Sequence, residues 1–195
     1  MKKIVVFASG NGSNFIAIYN ELLKKAIDGR IVLLISNNSN CGAIKFAKKN
    51  SINTKVINEY RYEKKVNEEY EITLKKYKTD LILLAGFMKK IPKNIVSAYN
   101  NKIMNIHPSL LPAYGGKGFY GMNVHEAVIC SGDKFSGATV HFVNEEYDKG
   151  KIIIQEKVRI SLDDDAYSLS IKVLEIEHSI YPKAVQLFCE NKIRD

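Results

Sequence analysis

The sequence has no tryptophan and, among its 195 residues, only four prolines and three cysteines. The cysteines, Cys41, Cys130 and Cys189, are far apart, so no pair has the spacing of a zinc module or of a small disulfide scaffold. An odd number of isolated cysteines is typical of a reducing compartment, where such side chains usually pack as small apolar groups. The cysteines therefore predict neither a disulfide framework nor a metal site.

Long apolar runs are also missing. Only five apolar residues lie between Lys3 and Ser9, and this run is shorter than the core of a signal peptide. No segment approaches the roughly 20 apolar residues of a membrane-spanning helix. From these absences we expect a cytoplasmic protein that makes no membrane contact.

Acidic residues are fewer than basic ones. Basic residues outnumber acidic residues by 29 to 21, which gives a formal net charge of +8. Such an excess permits a nucleic acid, a membrane surface or a small polyanionic substrate as the partner, and composition alone does not choose among them. Hydrophobic residues make up 46% and charged residues 26%, as in an ordinary globular domain, and the length is that of one domain.

Short apolar runs alternate with helical patterns through the first half of the sequence. The runs have the composition of strands buried on both faces, and they cover residues 4–8, 31–35, 54–57, 81–85 and 103–106. The helical patterns between them cover residues 15–24, 41–49, 62–77 and 92–99. This alternation predicts an α/β fold with a doubly wound, mostly parallel, Rossmann-like sheet.

The last third of the sequence has a different pattern. After a short helix around residues 123–130, two strands follow in succession at 139–143 and 152–158, which predicts a C-terminal antiparallel hairpin added to the sheet. A long closing helix is expected from about 167 to 190, and Pro182 within it should produce a kink.

A glycine-containing loop, Ser-Gly-Asn-Gly-Ser-Asn at residues 9–14, joins the first strand to the first helix. Ligands of open α/β sheets bind beyond the carboxyl ends of the strands, and a helix N-terminus offers free N–H groups to a phosphate. Ser13 or Asn14 is also suited to cap the helix. The loop therefore predicts a phosphate site, with a plain strand-to-helix turn as the alternative.

The type of phosphate ligand can be narrowed. A dinucleotide fingerprint requires a third glycine where this sequence has Phe15, and the second strand is followed by Ser36 rather than by an acidic residue. The Gly-Lys-Ser/Thr of a nucleoside triphosphate loop is absent as well. A single terminal phosphate on a small substrate fits this loop better.

Asn105 and His107 lie two positions apart at the end of the fifth predicted strand. Strand alternation places both side chains on the same face, about 6.6 Å apart along the strand. An amide donor beside an imidazole at the carboxyl edge of a sheet is suited to stabilise an oxyanion and to exchange a proton. A hydrogen-bonded polar residue at a strand end is the alternative for His107.

Two further polar residues have local structural explanations. His141 lies between apolar residues of a strand, so we interpret it as structural. Asp148 lies in the turn of the hairpin, where Asp is common. A carboxylate that reached His107 would favour its charged form and raise its pKa.

Five motifs occur in an order that resembles a known enzyme family. They are residues 9–14, Leu-Ala-Gly-Phe-Met at 84–88, Asn-Ile-His-Pro-Ser-Leu-Leu-Pro at 105–112, Gly-Ala-Thr-Val-His-Phe-Val at 137–143 and Glu-His-Ser-Ile-Tyr-Pro at 177–182. Over essentially its whole length the chain is similar to the phosphoribosylglycinamide formyltransferases, folate-dependent enzymes of purine synthesis. The third motif is shared by the wider formyl-folate transferase and hydrolase superfamily, whereas the first and last narrow the resemblance to this branch.

The resemblance implies the site residues. Those that match the family's catalytic residues are Asn105, His107 and Asp148. Those that match the site for glycinamide ribonucleotide are Gly12, Ser13, Asn14 and Glu177. Those that match the site for the co-substrate 10-formyltetrahydrofolate are Met88, Lys89, Lys90, Ile91, Asn105, Val143 and Asn144. One domain is expected over residues 1–195, with a phosphate-binding Rossmann-like half at 1–100 and a catalytic, folate-binding half at 101–195.

The implied reaction transfers the formyl group of 10-formyltetrahydrofolate to the amine of glycinamide ribonucleotide, a step toward IMP. The Asn105 amide and a protonated His107 would stabilise the tetrahedral intermediate, and Asp148 would keep His107 oriented and charged. The implied partners are these two small molecules, without nucleic acid, membrane or metal, and the protein is expected to be a monomer or a homodimer.

Two alternatives remain open. A 10-formyltetrahydrofolate hydrolase uses the same three residues with water as the acceptor, although we expect such a protein to carry a further N-terminal domain. A non-catalytic RNA-binding module would suit the basic charge, but the lysines are scattered along helices and no RNA-binding signature appears.

Other features of the sequence also allow more than one interpretation. The glycine-rich segment 115–121 is either a mobile lid or a surface loop. Arg61, Lys64 and Lys65 are all candidates to meet the folate carboxylates. Lys149 either lowers the pKa of the neighbouring Asp148 or points to solvent.

Overall fold

The computed structural model describes residues 1–193 and contains one seven-stranded sheet with the strand order β3-β2-β1-β4-β5-β6-β7. The strands are β1 (Lys2–Phe7), β2 (Gly29–Ser36), β3 (Thr54–Val56), β4 (Leu81–Leu84), β5 (Ile103–His107), β6 (Phe135–Phe142) and β7 (Ile152–Arg159). The helices are α1 (Ser13–Leu23), α2 (Gly42–Lys49), α3 (Glu59–Tyr62), α4 (Val66–Lys76), α5 (Lys93–Ala98), α6 (Met122–Ser131) and α7 (Ala166–Cys189).

The sheet combines a parallel and an antiparallel part. Strands β1 to β5 pair in parallel, β6 is antiparallel to β5, and β7 is antiparallel to β6. The predicted mostly parallel α/β sheet with a C-terminal antiparallel hairpin and a long closing helix is confirmed. The carboxyl ends of β1, β4 and β5 therefore lie at one edge of the sheet, where the loops that follow them can meet.

Two apolar clusters cover the two faces of the sheet. Ile4 and Val6 of β1 belong to the cluster that includes residues of α1 and α7, whereas Val5 and Phe7 belong to the cluster that includes residues of α4 and α5. From Ile4 to Phe7 the side chains of β1 alternate between the faces and are fully buried on both, which explains why this part of the strand is a continuous apolar run.

Gly12 makes the turn from β1 into α1. Its φ of +78° lies in the left-handed region, and a Cβ at this position would lie 2.8 Å from the Cβ of Ala43. Gly12 is also the N-cap residue, and no side chain caps the helix. The prediction that Ser13 or Asn14 caps α1 is therefore wrong, because the Asn14 side chain turns toward α7 instead.

Two other predictions differ from the structure, and a third stays a prediction. The single helix expected over residues 62–77 is broken, because Glu63 has a left-handed φ of +48° between α3 and α4. The cysteines are not all buried, since Cys130 is exposed. Helix α7 contains Pro182 and continues to Cys189, so the kink remains a prediction.

Within the described part of the chain, no helix is long and apolar enough to cross a membrane.

Candidate active site

A cavity of about 590 Å³ opens at the carboxyl ends of β4 and β5. Its walls come from β5, from the loops that follow β4 and β5, and from the loop between β6 and β7. Helices α1 and α7 contribute Asn14 and Glu177. The cavity has the size of a small-molecule site and lies where open α/β sheets bind their ligands.

Four polar side chains meet in the cavity. Nδ1 of His107 lies 3.7 Å from Oδ2 of Asp148, and Nε2 of His141 lies 3.5 Å from Oδ1 of the same carboxylate. Nδ2 of Asn105 lies 3.2 Å from Nε2 of His141. Asp148 follows β6 in the chain and has a left-handed φ of +55°. The fold thus brings one carboxylate between two imidazoles, with an amide beside them.

The hydrogen bonds of His107 determine which of its nitrogens carries the proton. Nε2 lies 2.7 Å from the backbone oxygen of Tyr114. Because a carbonyl oxygen only accepts, Nε2 must carry a hydrogen and donate it. Neutral His107 therefore has its lone pair on Nδ1, the atom that faces Asp148. A second proton would be taken up at Nδ1, beside the carboxylate.

Burial lowers the pKa of His107 below its ordinary value of 6.5, although the charge of Asp148 acts in the opposite direction. His107 is therefore neutral at pH 7 in the unliganded protein. Asp148 does act to raise the pKa of His107, as expected, but the expectation that this keeps the ring charged is wrong for this state, because desolvation of the imidazole outweighs the attraction.

The carboxylate of Asp148 is stabilised in its charged form. Burial opposes ionisation, but the His141 and His107 imidazoles and the Gly116 amide together lower the pKa of Asp148. The Gly116 amide donates to Oδ2 at 2.8 Å. Asp148 is thus a fixed negative charge next to a neutral imidazole that can accept a proton.

Asn14 and Glu177 form a second polar group in the cavity. Nδ2 of Asn14 donates to Oε2 of Glu177 at 2.6 Å, across 163 residues of sequence. Both side chains are buried. One helical turn beyond Glu177, the Tyr181 hydroxyl donates to the backbone oxygens of Leu84 and Met104, which fixes α7 against β4 and β5. Burial raises the pKa of Glu177 to about 7, with the Asn14 hydrogen bond acting in the other direction.

A model of the formyl transferase family matches residues 2–185. The chain belongs to this family. It is 44% identical over 194 residues to the chloroplastic phosphoribosylglycinamide formyltransferase of Vigna unguiculata, covering 98% of this chain and 62% of that protein. It is 36% identical over 196 residues to the phosphoribosylglycinamide formyltransferase of Haemophilus influenzae, covering 100% of this chain and 90% of that protein.

Solved structures agree with this assignment. The crystal structure of glycinamide ribonucleotide transformylase 1 from Symbiobacterium toebii superposes with a TM-score of 0.91 at 33% identity, covering 98% of this chain and 89% of that chain. The chain thus spans less than two thirds of the plant formyl transferase and most of the bacterial ones. The family resemblance read from the five motifs is confirmed.

The predicted site residues of this formyl transferase fall into two groups. Those that line the cavity are Asn14, Met88, Lys89, Lys90, Ile91, Asn105, His107, Val143, Asn144, Asp148 and Glu177. Gly12 and Ser13 do not line it and lie instead at the start of α1. Their position leaves the first N–H groups of that helix without helical partners, as a phosphate site requires.

The structure shows where the residues with more than one interpretation lie. Residues 116–121 line the cavity, and Gly116 binds Asp148, so the glycine-rich loop packs against the site. Lys149 pairs with Glu146 at the surface, with 69% of its side chain exposed. The cavity lining includes Lys89 and Lys90, and within residues 1–193 it does not include Arg61, Lys64 or Lys65.

His141 is the site residue that the sequence interpretation missed. It was assigned a structural role because its neighbours in β6 are apolar, yet it is opposite Asn105 in the antiparallel β5–β6 pair. The available signal was the position of Thr139 and His141 on one face of β6, directly before the loop that carries Asp148. Of the two, His141 lines the cavity, whereas Thr139 is buried and donates to the backbone oxygen of Ser109.

Proposed function

We propose that this formyl transferase moves the formyl group of 10-formyltetrahydrofolate to the amine of glycinamide ribonucleotide, as part of IMP synthesis. The observation that carries the proposal is the meeting of Asn105, His107 and Asp148 in a cavity that also contains Glu177. The names of the relatives support the same reaction. The alternative of a non-catalytic RNA-binding module does not explain this arrangement.

The residues of the chain would divide the chemistry between them. The amine nitrogen forms a bond to the formyl carbon, and the Asn105 amide donates a hydrogen bond to the formyl oxygen as that oxygen becomes negative. Nδ1 of His107 takes the proton that the attacking nitrogen loses, and the charged ring supports the oxyanion. His107 then returns the proton to N10 of the leaving tetrahydrofolate as the bond between N10 and the formyl carbon breaks. Asp148 holds that proton in place through Oδ2, which lies 3.7 Å away. Donors fixed in advance at a developing oxyanion each contribute about 10²–10³ in rate.

The two substrates would occupy different parts of the site. The phosphate of the nucleotide binds at the start of α1, through Gly12, Ser13 and Asn14, and its amine lies near Glu177. The folate contacts are assigned to the cavity residues Met88, Lys89, Lys90, Ile91, Asn105, Val143 and Asn144. The half at residues 1–100 would thus bind the nucleotide phosphate, and the half at residues 101–195 would carry the catalytic groups.

The residues that line the cavity are suited to bind a folate. Met88, Ile91 and Val143 give the cavity apolar walls, while Lys89 and Lys90 supply positive charge for a carboxylate tail. Small-molecule sites commonly have volumes of about 300–1,000 Å³, and the cavity lies within that range. When it is bound, the folate supplies the formyl group.

We further propose a cytoplasmic monomer or homodimer that acts on small molecules, without a resident metal.

The proposal is tested by following the loss of the formyl group from 10-formyltetrahydrofolate by absorbance, with and without glycinamide ribonucleotide. We expect loss only when the nucleotide is present, and a rate about 10²–10³-fold lower for Asn105→Ala. Loss at the same rate without the nucleotide would identify a hydrolase instead. A deformylase structure with a TM-score of 0.87 shares the fold at only 23% identity, so the assay must separate the two reactions.

A further inference from the structure

The buried carboxyl group of Glu177 has an unusual set of partners. Only 8% of this residue is exposed, and among residues 1–193 no Lys, Arg or His forms an ion pair with it. Its hydrogen bond comes from the amide of Asn14, which is also 8% exposed. A buried carboxylate without a counter-ion is costly unless it can become neutral. Glu177 is therefore built to change its protonation state.

Asn14 is suited to both protonation states of Glu177. In the charged state its Nδ2 donates to Oε2 of the carboxylate, as observed. Its own Oδ1 is buried and has no hydrogen-bond partner in the described structure. If the Asn14 amide rotates so that Oδ1 faces Glu177, this oxygen can accept a hydrogen bond from the protonated carboxyl group. Oδ1 gives up no other hydrogen bond when it does so. Oε1 of Glu177 has no partner among residues 1–193 and remains available to a ligand.

We propose that Glu177 is the base that removes a proton from the ammonium group of the nucleotide substrate before that nitrogen attacks the formyl carbon. The inference rests on the proposed function, which places the substrate amine beside this carboxylate. An N–H bond of the ammonium breaks, its electron pair stays on nitrogen, and the proton forms an O–H bond with Glu177. The resulting acid then releases its proton to water in the open cavity before the next turnover.

The proton affinities of the two groups match. An α-amino group titrates near pH 8, and burial raises the pKa of Glu177 to about 7. A carboxylate with an ordinary pKa would instead hold the ammonium as an ion pair, because the transfer would be unfavourable by several powers of ten. On the same helix, Tyr181 stays protonated because burial raises its pKa, and burial lowers the pKa of His178. Neither of these side chains competes for the proton at neutral pH.

The test compares the pH profile of kcat/KM for glycinamide ribonucleotide in the native protein and in Glu177→Gln. We expect the native profile to rise near pH 7 and to level off above the pKa of the substrate amine, because a substrate whose amine is already neutral needs no base. Glutamine keeps the shape of the side chain and accepts the Asn14 hydrogen bond, but it cannot take the proton. Its profile should only rise, reaching nearly the native rate at pH 9 and falling about tenfold for each unit below about pH 8.

A second variant keeps the test decisive if Glu177→Gln folds poorly. Asn14→Ala removes the bond that lowers the pKa of Glu177, so the rising limb should move to higher pH even if KM increases. A titration of the Glu177 carboxyl carbon by NMR in the unliganded protein checks the same group without any activity measurement, and a midpoint near 4 contradicts the inference.

The possible failures are distinguishable. If the native protein transfers no formyl group at any pH, the proposed function fails. If the native protein is active and Glu177→Gln loses the same factor at every pH, or keeps the native profile, Glu177 only holds the substrate and this inference alone is overturned.

Discussion

Asn105 and His141 are directly opposite each other in the antiparallel β5–β6 pair, and Nδ2 of Asn105 lies 3.2 Å from Nε2 of His141. Nδ1 of His141 lies 2.8 Å from the backbone oxygen of Phe142, so Nδ1 carries a hydrogen and donates it, which fixes the orientation of the ring. His141 thereby holds the Asn105 side chain in place through Nε2. We regard it as a positioning residue for the oxyanion donor.

Replacing His141 with phenylalanine should therefore lower kcat about 10–100-fold, somewhat less than the loss of the oxyanion donor itself. KM for glycinamide ribonucleotide should change little, because no group that binds the nucleotide is removed. Steady-state kinetics with both substrates, alongside Asn105→Ala and the double variant, checks this result. Since both residues act on one interaction, the double variant should be little worse than Asn105→Ala. Additive losses would show that His141 acts independently.

The variant Asp148→Asn should lower turnover by at least about 100-fold with little change in thermal stability. It should also lower the pKa of His107 further, because the charge of Asp148 is one of the influences that raise it. NMR titration of the His107 ring measures the second effect without substrates. A native turnover number or an unchanged His107 titration would show that the 3.7 Å approach of these side chains has no consequence for the reaction.

Glu177 should also make stability depend on pH. Its pKa is raised in the folded state from an ordinary 4.5 to about 7, so its contribution is fully present below pH 4.5 and is lost as the pH rises through about 7. Glu177→Gln does not titrate. Its free energy of unfolding relative to the native protein should therefore increase by about 3 kcal/mol between pH 4.5 and pH 8. Urea unfolding at several pH values measures the difference, and a constant difference contradicts the raised pKa.

Gly12→Ala should destabilise the protein and weaken nucleotide binding. The new Cβ would lie 2.8 Å from the Cβ of Ala43 at a φ of +78°, and together these conflicts should cost about 1–3 kcal/mol. The matched control is Gly10→Ala in the same loop, where a Cβ meets nothing within 4 Å. Thermal unfolding and KM for the nucleotide should change in the first variant and remain nearly native in the second. Equal effects in both would mean that the loop has no special requirement at Gly12.

The sequence was sufficient for the order and type of most elements, because strands buried on both faces leave continuous apolar runs. It was not sufficient for the break at Glu63, because the i, i+4 spacing of apolar side chains continues on either side of the break. The hydrophobic periodicity of the sequence does not reveal a single residue with left-handed φ when the residues on both sides of it keep the same spacing.

The site was predictable in part for a similar reason. The spacing of Asn105 and His107 placed both side chains on one face of a strand, and this depends only on strand geometry. His141 was missed because its role depends on the register between β5 and β6, which no local pattern contains. The direction of the His107 pKa shift was also mispredicted, because the depth of burial that decides it arises only from the packed fold.

The central claim is that the formyl group ends on the nucleotide. The most direct measurement supplies 10-formyltetrahydrofolate with a ¹³C-labelled formyl carbon together with glycinamide ribonucleotide, and identifies the products by mass spectrometry. The account predicts a nucleotide that is heavier by one formyl group and carries the label, formed in equal amount to tetrahydrofolate. Label found only in free formate, with the nucleotide unchanged, would contradict it.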